Sequence, residues 1–160
     1  MKILHPTDFS DGAERARAEA IRLARATGGE VVLLHVLLET PAYGEGLTAA
    51  QVLELQEAQR RWAGERLEAV SAETRAAGVA ARGLVRTGDP ARETVRAADE
   101  EGADLIVMGT HGRSGLGRLL LGSVADRVIR QASCPVVTVR ETSAAAPRAP
   151  AASAGARPQR

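Results

Sequence analysis

The chain has 160 residues, enough for one domain that buries a core without disulfide or metal staples. Its 21 basic and 20 acidic residues leave a formal charge of +1, which excludes a global electrostatic draw toward nucleic acid or an anionic membrane. The single cysteine, Cys134, excludes an intrachain disulfide, and no apolar run approaches the roughly 18 residues of a membrane span.

Ile3-Leu4 opens a short apolar strand that ends at Pro6-Thr7-Asp8. Ser10 or Asp11 then caps a helix carrying Ala13, Ala16, Ala20, Leu23 and Ala24 on one face, and Gly28-Gly29 stops it. Val31 to Leu38 is almost continuously apolar, the pattern of a central parallel strand covered on both sides. A looser stretch with Pro41, Gly44 and Gly46 leads into a long helix whose Leu55, Ala58, Trp62, Leu67, Val70, Thr74 and Ala77 fall near helical spacing, ended by Gly78. A weaker strand runs from Val79 to Val85. Gly88-Asp89-Pro90 then supplies a turn, an N-cap and a first-turn proline for a helix bearing Ala91, Thr94, Val95 and Ala98, closed at Gly102. Asp104 to Met108 forms a fourth strand. Leu120/Leu121, Val124/Ala125, Val128/Ile129 and Ala132 pair as in a helix, and Pro135 to Arg140 forms a fifth strand.

Strand and helix alternate throughout, so the expected fold is α/β: a flavodoxin-like doubly wound five-stranded parallel sheet with helices on both faces, a three-layer sandwich. Residues 1–141 make one domain. From Thr142 the composition shifts to Ala, Pro, Ser, Gly and Arg, too poor in large apolar groups to offset ordering entropy, so 142–160 is expected to be a disordered tail. Met1 to Pro6 lacks the apolar segment of a signal peptide, and the expected location is cytoplasmic.

Between the fourth strand and the last helix lies the most informative segment, Gly109-Thr-His-Gly-Arg-Ser-Gly-Leu-Gly-Arg-Leu-Leu-Leu-Gly-Ser123. Parallel sheets bind phosphates where a strand hands over to a helix. A Walker loop requires a lysine after its glycines, and the only lysine is Lys2. A dinucleotide fingerprint requires G-x-G-x-x-G after the first strand, whereas Gly115-x-Gly117 follows the fourth. Gly109 and Gly112 permit positive φ and close approach of amides to an anion. Gly122-Ser123 opens a helix whose unpaired N–H groups and dipole favour phosphate. Ser123 with Asp126 also resembles a capping box, so Ser123 serves the helix end, a ligand, or both. Arg113 and Arg118 bring cations into the loop.

What remains is G-x-x-G, nine residues, then G-S, set by Gly109, Gly112, Gly122 and Ser123. At this spacing the chain resembles the ATP-binding branch of the universal stress protein family. The resemblance covers Met1 to Arg140: Pro6-Thr7-Asp8, His35-Val36, Gly88-Asp89-Pro90-Ala91 and Cys134-Pro135-Val136-Val137 all look like family positions in the family's order. It implies that Pro6, Thr7 and Asp8 line a nucleotide crevice, with Asp8 near the ribose or a bridging metal. Val36 would offer backbone hydrogen bonds to adenine, and Met108 and Gly109 would lie under the ribose. Gly112, Gly122, Ser123 and Val124 would present amides to the phosphates, with Arg113 as a further phosphate contact. The implied ligand is ATP with magnesium or manganese, the metal arriving with the nucleotide rather than at a protein-only site. The family pairs its last strands across a two-fold axis, which implies a homodimer through residues 136–140. The implied role is a nucleotide-responsive stress or regulatory factor without fast catalysis, with no nucleic acid or membrane partner.

Other classes stay in view. A slow ATP hydrolase or an adenylyl or phosphoryl transferase would use the same crevice, but the usual lysine is missing. A homodimeric scaffold would ignore the nucleotide altogether and rest on the apolar edge strand. His5, His35 and His111 all fall near strand ends, a pattern weighed against ordinary hydrogen-bonded core histidines for a zinc site. A phosphorylatable receiver domain shares the fold class but requires an acceptor aspartate after the third strand, where Arg86-Thr87-Gly88 stands. Cys134 reads as a small buried hydrophobe rather than a reactive thiol, and Tyr43 and Trp62 read as isolated aromatics.

Overall fold

The computed structural model describes residues 1–39, 46, 48–110 and 121–140. Along them run β1 (Lys2–Pro6), α1 (Asp11–Thr27), β2 (Glu30–Leu37), α2 (Ala49–Ala76), β3 (Ala80–Thr87), α3 (Pro90–Glu101), β4 (Leu105–Gly109), α4 (Ser123–Gln131) and β5 (Val136–Val139). The strands form one sheet in the order β3-β2-β1-β4-β5, every pair parallel. The doubly wound α/β sandwich expected from the sequence is the architecture of the protein. β3 and β5 lie at the two edges.

Side-chain alternation along the strands sorts the core into two layers. Ile3, Val31, Leu33 and Val107 face α1 and α2, while Leu4, Val32, Leu34, Ile106 and Met108 face α3 and α4. The helices approach closely because their buried positions are small: Ala16, Ala20 and Ala24 on α1, Ala91, Ala97 and Ala98 on α3. Helix ends follow local chemistry. The Ser10 side chain accepts from Ala13 N, and Gly28 closes α1 in the left-handed conformation at φ 61°. Asp89 accepts from Arg92 N, Pro90 starts α3, and Gly102 closes it at φ 60°.

Two expectations need correction. Helical spacing puts Leu55, Ala58 and Trp62 on the inward face of α2, yet all three are exposed, and the buried residues are Ala63, Leu67, Val70, Ser71 and Thr74. Geometry explains it: a 28-residue helix is about 42 Å long, against about 26 Å for the eight-residue strand β3 beneath it. The first half of α2 therefore overhangs the sheet, started by a Thr48–Gln51 capping box. The last helix begins at Ser123, and Leu121 precedes it, exposed. The tail 142–160 and Tyr43 lie outside the described residues. No helix among the described residues is long and apolar enough to cross a membrane.

Candidate functional site

β1 sits beside both β2 and β4, and the chain leaves β1 over one face of the sheet and β4 over the other. The two departing segments diverge at the carboxyl ends of β1 and β4, and a crevice opens between them. It holds a cleft of about 350 Å³ lined by Pro6, Thr7, Asp8, Ala13, Leu34, His35, Val36, Pro90, Thr94, Met108, Gly109, Thr110, Gly122, Ser123, Val124 and Ala125. All the residues that the resemblance assigns to a nucleotide site line it except Gly112 and Arg113, which lie outside the described residues, as do Arg118 and His111.

The β1–α1 turn forms one wall. Thr7 N donates to Leu34 O at 2.8 Å, continuing the β1–β2 ladder by one bond. Asp8 Oδ1 accepts from Ser10 N at 3.1 Å and from Ser10 Oγ at 2.6 Å, so this carboxylate shapes the turn and lines the cleft at once.

β2 supplies the floor. Leu34 O points toward β1 and Leu37 O toward β3, where it accepts from Gly88 N. Backbone edges alternate along a strand, so Val36, two residues past Leu34, also directs its N–H and C=O to the β1 side. β1 pairs only as far as Pro6 with Leu34. The polar backbone of Val36 therefore points past the end of its neighbour, into the cleft.

α4 forms the opposite wall. Its N-cap is Gly122, at φ −62° and ψ 149°, with no side-chain cap hydrogen bond. The expected Ser123–Asp126 capping box is absent: Ser123 is already the first helical residue, and the Asp126 carboxylate pairs with Arg130 at 3.1 Å. Ser10, Thr48 and Asp89 each cap their own helices, whereas among the described residues no side chain caps the α4 amides that face the cleft. Gly109 likewise departs from expectation, ending β4 in extended backbone opposite Val139 instead of taking positive φ. Gly122 N donates to Thr110 O at 2.8 Å, so this amide, expected to face phosphate, is already engaged within the chain, and the end of β4 is joined to the α4 cap across 111–120. Behind this wall Arg127 pairs with Asp89 at 2.8 Å, tying α4 to the α3 cap. The Arg127 hydrogen bond is the main cause that holds the Asp89 carboxyl below its usual range.

The histidines are held separately. His5 Nδ1 donates to Val107 O and His35 Nδ1 to Thr7 O, both at 2.8 Å. No cluster of three or more metal-ligating side chains occurs among the described residues. Cys134 is half-buried against the α3/α4 core, and burial pushes its thiol up. Trp62 is not isolated: it meets Phe9 and His35 edge-on at 5.6 and 6.1 Å between ring centroids.

Sequence reasoning missed Ala13, Leu34, His35, Pro90, Thr94, Thr110 and Ala125 as lining residues. Pro90 was visible as a helix-start signal, but its place in the cleft follows from strand order, which pattern alone does not supply.

The described geometry agrees with what comparison with known proteins finds. The model of the universal stress protein family matches residues 1–140. The chain belongs to that family. Universal stress protein MJ0531 of Methanocaldococcus jannaschii is 41% identical over 140 residues, covering 88% of this chain and 82% of that protein. Among solved universal stress protein relatives, M. jannaschii MJ0577 superposes with a TM-score of 0.79 at 34% identity, covering 89% of this chain and 96% of that one. The universal stress protein from Archaeoglobus fulgidus, solved in complex with dAMP, superposes with a TM-score of 0.58 at 28% identity, covering 86% and 96%.

Proposed function

We propose that this chain binds an adenine nucleotide, ATP with magnesium or manganese, in the β1/β4 cleft and acts as a nucleotide-responsive regulatory factor without fast catalysis. One observation carries the reading: the N-terminus of α4 opens on the cleft with no side chain capping it among the described residues. Unsatisfied amides and the positive end of a helix dipole attract phosphate, the dipole contributing about 0.3–1 kcal/mol. Ser123 and Val124 would offer those amides, with Gly112 and Arg113 adding to the phosphate site. The outward N–H and C=O of Val36 match the donor and acceptor edge of adenine, and the dAMP complex of the A. fulgidus relative supports that base. Asp8, near the ribose, would share a divalent cation with bound phosphates, which would neutralise their charge.

Catalysis is expected to be slow at most. Lys2 stands at the other end of β1, where its Nζ donates to Glu101 O at 2.7 Å, far along the strand from the cleft. The homodimer is proposed through β5, an edge strand paired only to β4 among the described residues.

The test is a thermal melt with ATP and magnesium, together with identification of any small molecule released on heat denaturation. At about a hundredfold excess over the dissociation constant, ATP should stabilise the protein by about 2.7 kcal/mol. Gly122→Val should abolish the shift and keep the apo fold, because φ −62° and ψ 149° suit any residue. A shift that survives in this variant removes α4 from the site. Single-turnover phosphate release, with Asp8→Ala as control, separates binding from hydrolysis; turnover near about 1 per second would favour an enzyme.

A further inference from the structure

Phe9 lies in the left-handed region at φ 61°, alone among the described non-glycine residues. For a bulky L-residue that conformation crowds Cβ against the backbone, so neighbouring contacts must hold it. Three groups do so. The Phe9 ring lies 4.6 Å from the His35 ring and 5.6 Å, edge-on, from Trp62, and the Arg66 guanidinium sits 5.7 Å from its centroid. His35 also fastens the turn itself, because its Nδ1 donates to Thr7 O at 2.8 Å while Phe9 N donates to Thr7 Oγ1 at 3.0 Å. Thr7 and Phe9, the residues on either side of Asp8, are thus both anchored to one imidazole.

We propose that Phe9 and His35 are positioning residues of the nucleotide cleft: the tilted ring–ring contact and the imidazole–carbonyl bond together hold Phe9 in the left-handed conformation, and with it the shape of the 7–10 turn that presents Asp8 to the ligand. The inference rests on the nucleotide reading above and adds how the cleft is kept in shape. It also gives the aromatic cluster a task distinct from core packing. A residue that only packs is hurt at least as much by glycine as by alanine, since glycine removes more side chain and loosens the backbone. A residue that holds a left-handed turn is hurt less by glycine, which adopts positive φ at no steric cost.

The probe is ATP with magnesium, titrated calorimetrically into wild type, Phe9→Ala, Phe9→Gly and His35→Phe, with circular dichroism to establish folding. Phe9→Ala should raise Kd about tenfold and Phe9→Gly less than about threefold. His35→Phe, which keeps a ring for stacking and deletes only the donor to Thr7 O, should raise it about fivefold. In an Asp8→Ala background the difference between the two Phe9 variants should vanish, as expected for an effect transmitted through Asp8. If Phe9→Gly binds no better than Phe9→Ala, or if both match wild type, the inference is overturned. Should Phe9→Ala fail to fold, His35→Phe decides: binding equal to wild type overturns the proposal. Folded wild type that takes up no ATP removes the nucleotide reading and this inference with it, whereas wild-type binding with an uninformative Phe9 pair removes this inference alone.

Discussion

Lowering the pH from neutral to about 4 should remove about 3 kcal/mol of stability through one side chain, His5. The imidazole is fully buried on β1; its Nδ1 donates to Val107 O, and its Nε2 finds no hydrogen-bond partner among the described residues. Burial is the main cause that pushes its pKa from 6.5 down to about 4, with a smaller contribution from the Arg17 charge in the same direction. Between those values the unfolded chain takes up a proton that the folded chain refuses. Stability is therefore intact above the unfolded value of 6.5 and falls as the pH drops toward about 4, where the folded state protonates too. At about 1.4 kcal/mol per pH unit the gap gives the 3 kcal/mol above, equivalent to about 6–12 °C in Tm for a chain this long. Urea unfolding at a series of pH values, run beside His5→Asn, isolates the effect, because asparagine keeps a donor near the Nδ1 position and does not titrate. Carboxylates held down by arginine partners far from His5, such as Glu19 and Asp89, act equally on both proteins and cancel in the difference. A wild-type curve parallel to that of His5→Asn across this range would refute the reasoning.

Adjacent glycines at the end of α1 should respond differently to alanine. Gly28 has φ 61° and open space where a methyl group would stand, so Gly28→Ala should cost only the left-handed penalty of about 1 kcal/mol, whereas a Cβ at Gly29 collides with the immovable Met1 carbonyl that accepts from Glu30 N. Urea unfolding of Gly29→Ala should show a larger loss, about 2–3 kcal/mol. On α2, Leu67→Ala should cost about 2–5 kcal/mol because Leu67 is 2% exposed and Gly83 packs against it, while Leu53→Ala, 57% exposed on the overhang, should stay within about 0.5 kcal/mol. Equal losses in that pair, measured by chemical denaturation, would mean that the overhang is packed after all.

Signals confined to a few neighbouring residues were legible in the sequence. Ser10, Asp89, Pro90, Gly28 and Gly102 act through hydrogen bonds and φ preferences within one turn, and the structure uses each of them in the expected role. The β-branched, apolar run from Val31 marked an interior strand for a similar reason, since such a run suits a strand covered on both faces. What stayed hidden depends on lengths and angles between elements. Leu55 and Trp62 have the spacing of core residues, and only the shortness of β3 leaves them exposed. Ser123 carries the composition of a cap, but the hydrogen bond from Gly122 N to Thr110 O sets where α4 begins one residue earlier than that pattern implies. The left-handed Phe9 has no sequence signature, because residues of its type rarely adopt that backbone. Nor did the spacing of glycines reveal that Gly109 would stay in the sheet.

The bond between Gly122 N and Thr110 O has an evolutionary consequence. It sets the two ends of segment 111–120 side by side, so the chain length between them does not determine where β4 stops or α4 starts. Selection can therefore act on substitutions in 111–120 through the phosphate site proposed above without moving the end of β4 or the start of α4.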